Sequence, residues 1–212
     1  MIRRFFLPVL AGLFVAASMP PWGWWPLGFA GIALYGSAAV RQKEHSLSTG
    51  FLFAAAWFLP SMAWMWFLTA PGYLVAILIF CAMHGIASFI ASRLSTTETS
   101  HRSALIISHS LAEVLRLSFP FGGVPLATLA IGQVSGPLAG LAPLMGVIGI
   151  STATMYLALT SHRFRAICLI GFLVFLGNTW NNTHATGRTL NLSIIQGGGE
   201  QGTHAVDTNP RD

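Results

Sequence analysis

Long apolar runs alternate with short polar breaks along this chain. The runs cover 5–19, 27–40, 47–68, 73–92, 103–117, 138–160 and 166–180. Most are about 15–22 residues long, which suits a helix crossing a hydrocarbon core of roughly 30 Å. The breaks carry turn residues. Pro20, Pro21, Trp22, Gly23, Trp24, Trp25 and Pro26 form the first, and Thr69, Ala70, Pro71 and Gly72 form another. A stretch rich in Gly and Pro fills 118–137. The apolar region 125–160 has the length for two spans, but two would move Arg163 and Arg165 to the opposite side of the membrane from the other basic clusters. One span plus a re-entrant or interfacial segment agrees better with the charges.

The charges then orient the helices. Arg3 with Arg4, Arg41 with Lys43, Arg93 with Arg102, and Arg163 with Arg165 fall on alternate breaks. With the N-terminus inside, seven crossings put eight of the eleven basic residues in the cytoplasm and leave Arg116, Arg188 and Arg211 outside. Basic loops stay on the cytoplasmic side. The expected fold is therefore an all-α polytopic membrane protein of about seven transmembrane helices, N-in and C-out. A cleaved signal peptide is the alternative for the first run, because Ala16, Ala17 and Ser18 resemble a cleavage region.

After Asn181 the pattern changes period. Leu190, Leu192 and Ile194 alternate with Asn191 and Ser193. A period of two marks a strand with one buried face. The expected division is a multi-pass membrane domain over 1–182 and a second unit beginning over 183–212. A single β-strand does not fold by itself in water.

Composition supports the membrane reading: 54 % of residues are hydrophobic and 8 % charged. The net charge of +5 would point to nucleic acid in a soluble basic protein. Here the cations are spread over loops, where they set topology and favour anionic lipid headgroups. No nucleic-acid partner is expected. Cys81 and Cys168 both lie in apolar runs, lack metal-ligand spacing and read as buried apolar side chains. Neither a metal nor a cofactor is expected.

The fifth run holds the polar constellation. His109, Glu113 and Arg116 are spaced i, i+4, i+7 and share one helical face. Ionisable groups at membrane depth are expensive and mark functional sites. One reading is a polar pocket at the outer leaflet, with Arg116 holding a phospholipid phosphate and Glu113 orienting it. The other is a paired helix end whose charges snorkel to the interface. Gln133 is expected to satisfy irregular backbone near the membrane. His84 stands alone in the fourth run as a packing histidine. Gly132, Gly136 and Gly140 have the spacing of small residues that admit a neighbouring helix.

Several landmarks together resemble bacterial apolipoprotein N-acyltransferase. They are Pro20-Pro21-Trp22-Gly23-Trp24-Trp25-Pro26-Leu27, Gly50-Phe51-Leu52-Phe53 through Pro60, Ala112-Glu113-x-x-Arg116, Pro120-Phe121-Gly122-Gly123-Val124-Pro125, Ile131-Gly132-Gln133 and Gly146-x-x-Gly149. Ile194-Ile195-Gln196-Gly197-Gly198-Gly199, followed by Gln201 to Thr208, resembles the opening strand of that family's nitrilase-like domain. Val124-Pro125-Leu126 departs from it, since the family usually has an aromatic before the proline and Trp after it.

The resemblance implies transfer of an acyl chain from a phospholipid donor to the N-terminal diacylglyceryl-cysteine of an apolipoprotein acceptor. It implies a bacterial plasma-membrane location and a thioester on a cysteine of an extracytoplasmic α/β nitrilase-like domain, with a Glu base and a Lys oxyanion partner. No residue of this chain matches those three catalytic groups. Glu200, Lys43 and Cys168 occupy different compartments and do not substitute. The expectation is a membrane domain plus the first strand of a truncated catalytic domain, inactive alone and completed by a separate catalytic chain or a longer product. His109, Glu113, Arg116 and Gln133 are the expected lipid- or substrate-binding residues. Two other classes compete. One is a non-catalytic scaffold for a partner such as a polyprenol-phosphate mannosyltransferase. The other is a small transporter, which predicts repeats and broken helices near the midplane.

Overall fold

A computed structural model of the chain describes residues 2–119, 123–160, 162–180 and 193. Among these residues it is helical and contains no strand. The expected strand over 189–196 lies outside the described residues except for Ser193. The α-helices are α1 (Ile2–Ser18), α2 (Trp25–Arg41), α3 (Ser46–Ser61), α4 (Ala70–Leu94), α5 (Glu98–Arg116), α6 (Ala142–Leu159) and α7 (Arg163–Trp180). Among the described residues two helical stretches, Ala70–Leu94 and Pro137–Leu159, are long and apolar enough to cross a membrane.

Local chemistry sets the ends. Thr69 caps α4 by accepting from the Gly72 N–H, and Pro71 sits in the first turn, where no backbone donor is needed. Thr97 and Ser100 form a reciprocal capping box at the start of α5. That box moves the fifth helix back to Glu98, ahead of the run at 103. The third run is not one helix. Pro60 lies in the last turn of α3, which ends at Ser61, and Ala63–Phe67 continues as a 3-10 turn. The sixth run opens as a 3-10 turn over Pro137–Leu141 before α6. Within α6, Gly146 adopts φ +61° and ψ −171°. That conformation is open essentially to glycine alone, so the helix breaks there.

Packing follows chain order with one closure. α1 lies against α2 and α3, α3 against α4, α4 against α5, and α5 against α6, while α2 also meets α6. α3 and α4 approach closely at Gly50, where a Cβ would overlap the Ser88 side chain and crowd the His84 carbonyl. Gly132 and Gly136 serve differently from the expected helix seam. They pack the irregular stretch against Ser18 and Trp25. α7 touches α6 and the Pro137–Leu141 turn, and this sparse packing leaves Phe164, Ile167, Phe172 and Phe175 exposed. Cys168 is exposed for the same reason, contrary to the expectation of burial, whereas Cys81 is buried.

Large apolar side chains line the outside as well as the core, and several polar groups are enclosed among them. Leu74, Val75, Leu78, Ile86 and Ile90 of α4 point outward, as do Phe5, Phe6 and Leu13 of α1. His84, Ser88, His109, Glu113, Arg116, Ser151 and Thr154 are inside. Apolar exposure on this scale marks a surface made for an apolar environment or a partner.

Candidate functional site

The buried polar residues converge at one place, where α2, α3, α4, α5 and α6 meet. The i, i+4, i+7 face of α5 delivers His109, Glu113 and Arg116 together. α4 adds His84 and Ser88, which lie one turn apart and so share a face. α2 adds Tyr35 and α6 adds Ser151.

The contacts form a chain. The Tyr35 hydroxyl lies 2.8 Å from His109 Nε2, and it also meets the Ser88 hydroxyl. Ser88 Oγ donates to the His84 carbonyl. His109 Nδ1 lies 2.8 Å from His84 Nδ1. His84 Nε2 then faces Glu113 Oε1 at 3.7 Å. Two Nδ1 atoms sharing one bond require one proton and one lone pair. Ser88 gives its one proton to the His84 carbonyl, so Tyr35 donates to Ser88, His109 donates its Nε2–H to Tyr35 and accepts at Nδ1 from His84, and His84 turns an unprotonated Nε2 toward Glu113. These tautomers follow from the network.

Glu113 is the hub. Besides facing His84, it receives the Ser151 hydroxyl at 3.5 Å and faces the backbone N–H of Leu129. Its Oε1 lies 3.1 Å from the Arg116 guanidinium. Both side chains are 0 % exposed. The pair is close but not aligned, and no guanidinium nitrogen makes a directed hydrogen bond among the described residues. Aromatic faces take up the charge instead. The guanidinium carbon lies 4.7 Å from the Phe58 ring centre, 4.9 Å from Phe80 and 5.9 Å from Trp57. Cation–π attraction is strongest where water is excluded, as here. The Arg116 carbonyl also accepts from the Val124 N–H. The end of α5 therefore ties the following stretch at two points, Val124 through the Arg116 backbone and Leu129 through the Glu113 carboxylate.

The expected residues are only partly gathered. His109, Glu113 and Arg116 meet, and His84, read as an isolated packing group, joins them. Gln133 makes its bond elsewhere, donating to the Trp25 carbonyl at 3.2 Å and fixing the Ile131–Gln133 turn to the start of α2. Arg116 does not snorkel, because its side chain is enclosed by three rings and a carboxylate. In this arrangement it presents no donor at the surface. Tyr35 and Ser151 escaped the sequence reading because neither carries charge and both sit in apolar runs. The available signal was that two histidines, His84 and His109, lie at mid-run in consecutive apolar stretches. Among the described residues no group of three or more His, Cys, Asp or Glu is arranged to hold a metal.

Residues 11–160 match the family described as Apolipoprotein N-acyltransferase N-terminal domain. The chain belongs to that family. The match runs from the middle of α1 to the end of α6 and takes in the whole polar cluster. Two curated proteins called apolipoprotein N-acyltransferase are similar at low identity. The one from Coxiella burnetii is 24 % identical over 187 residues, covering 77 % of this chain and 38 % of that protein. The one from Ralstonia nicotianae is 25 % identical over 224 residues, covering 92 % of this chain and 42 % of that protein. The chain thus spans about two fifths of the length of these N-acyltransferase relatives.

Proposed function

We propose that this chain is the membrane-embedded part of an apolipoprotein N-acyltransferase in a bacterial plasma membrane. Acyl transfer would run from a phospholipid to the diacylglyceryl-cysteine of an apolipoprotein, at a nitrilase-like domain mounted outside the membrane. The observation that carries this reading is the family match over 11–160 falling on helices with apolar outer faces and ionisable interiors. In lipid, outward leucines and phenylalanines lie in their preferred medium, and polar groups face the bundle interior. Residues 1–182 form the membrane domain, crossing seven times from an inside N-terminus, and 183–212 begin the outer domain.

Within this domain His109, Glu113, Arg116 and His84 act on substrate indirectly. They hold the 123–137 stretch, with Gln133, in one position over the outer end of the helices. There it shapes the entry for lipid and lipopeptide. The test is binding of a fluorescent diacylated lipopeptide to the chain in phosphatidylethanolamine nanodiscs. Saturable binding, competed by unlabelled diacylated lipopeptide and not by the unlipidated peptide, is expected. Signal equal to that of empty nanodiscs overturns the proposal.

A further inference from the structure

A cleft of about 770 Å³ lies between the start of α3 and the end of α4, lined by none of the residues of the Glu113 cluster. Lys43, His45, Ser48, Leu47, Phe89 and Arg93 line it, together with the carboxylate of Glu44. We infer that this cleft binds the phosphate headgroup of an anionic phospholipid, with an acyl chain laid along Leu47 and Phe89. The inference requires that the chain sit in a membrane, and it concerns a site separate from acyl transfer.

Three observations carry it. The first is unpaired cationic charge. Among the described residues no carboxylate comes within ion-pairing distance of Lys43 or Arg93, whereas Arg102 near the start of α5 is neutralised by Glu98 at 2.8 Å. Lys43 bonds the Ser95 carbonyl, which leaves further ammonium hydrogens for a ligand. Arg93 lies over the Phe89 ring at 4.9 Å, which orients the guanidinium while using none of its N–H groups. The second observation is two-sidedness. Leu47 is 53 % and Phe89 40 % exposed in the lining beside the cations. A free anion gains nothing from that apolar wall, and a lipid does. The third is position. The cleft falls at the end of the helices that carries the basic breaks Arg41 to His45 and Arg93 to Arg102. Basic pockets between helices on the cytoplasmic side are suited to anionic headgroups.

The experiment uses the full chain in nanodiscs of phosphatidylcholine mixed with phosphatidylglycerol. Retained lipid is read by native mass spectrometry. Wild type retains phosphatidylglycerol over phosphatidylcholine. A basic residue near an anionic surface contributes about 1 kcal/mol, so K43Q/R93Q loses about 30-fold in phosphatidylglycerol affinity. R102Q, whose cation does not line the cleft, retains wild-type affinity. Insertion into the nanodisc and elution position are recorded for each variant, so misfolding is seen directly. Equal retention by wild type and K43Q/R93Q overturns the site. Inorganic phosphate alone is the second arm: if millimolar phosphate displaces the bound lipid, the site is one for free anions and the lipid assignment falls.

Discussion

Removing Glu113 strands a charge that cannot be discarded. Arg116 is fully buried, and Glu113 is its ion-pair partner at 3.1 Å. A guanidinium does not lose its proton in a protein, so Glu113→Ala leaves a buried cation with aromatic faces alone. Breaking a buried pair from one side costs about 3–5 kcal/mol. The rings of Phe58 and Phe80 at 4.7 and 4.9 Å already act in the native state, so they offset none of this loss. The reverse change is milder. Arg116→Met leaves Glu113 beside His84 and Ser151, and a carboxyl can take up a proton and become neutral. Its expected cost is about half that of Glu113→Ala, still within the range for core changes of about 2 kcal/mol. Replacing both, as Glu113→Leu with Arg116→Met, removes both charges and approaches wild-type stability, because apolar replacement of a buried pair is commonly neutral or better. The chain holds seven tryptophans, with Trp57 against the cluster, so tryptophan fluorescence during SDS titration of detergent micelles reads unfolding. Wild type, Glu113→Leu, Arg116→Met and the double variant form a double-mutant cycle. The reasoning is refuted if Arg116→Met is the more damaging single change, or if the double variant is no more stable than Glu113→Leu.

Two further outcomes test the packing and the polar end of α5. Gly50→Ala would gain up to about 1 kcal/mol from helix propensity on an open surface, but here a Cβ overlaps Ser88 and crowds the His84 carbonyl. A net loss of about 1–3 kcal/mol is expected from overpacking, measured in the same SDS titration. His101 lies ahead of the proposed span, bonded to Ser95 Oγ at 2.8 Å. Burial first, then the charges of Lys43 and Arg102, hold its pKa below the ordinary 6.5. A basic group depressed in the fold binds more protons when unfolded. The His101 contribution to stability is therefore constant above about pH 6.5 and falls as the pH drops below it toward the folded value, so His101→Gln makes the acid limb shallower in a pH series of melting curves.

Hydrophobic run length placed the α-helices in order and most of their ends to within about five residues, but it carried the third run seven residues past the end of α3 at Ser61. The differences have local causes. The box of Thr97 and Ser100 extends α5 backward, Pro60 ends α3 early, and Gly146 breaks α6 where only its φ of +61° fits. Of the cluster, His109, Glu113 and Arg116 were legible because one helix carries them at i, i+4, i+7. The partnership of His84 was not. His84 and His109 are 25 residues apart and on different helices, and periodicity within one helix says nothing about which face of the next helix meets it. Gln133 was legible as a polar residue in irregular chain, but its partner, the Trp25 carbonyl, is 108 residues distant.

What the sequence determined by itself is the solvent preference of each segment. Transfer of an apolar side chain between media is additive along the chain and needs no knowledge of neighbours. What only the tertiary structure decided is whether the ionisable face of α5 opens to lipid or closes on itself. A charge is stabilised by particular partners at particular distances. Phe58, Phe80 and His84 come to Arg116 and Glu113 because α3, α4 and α5 pack side by side, and that packing encloses the pair.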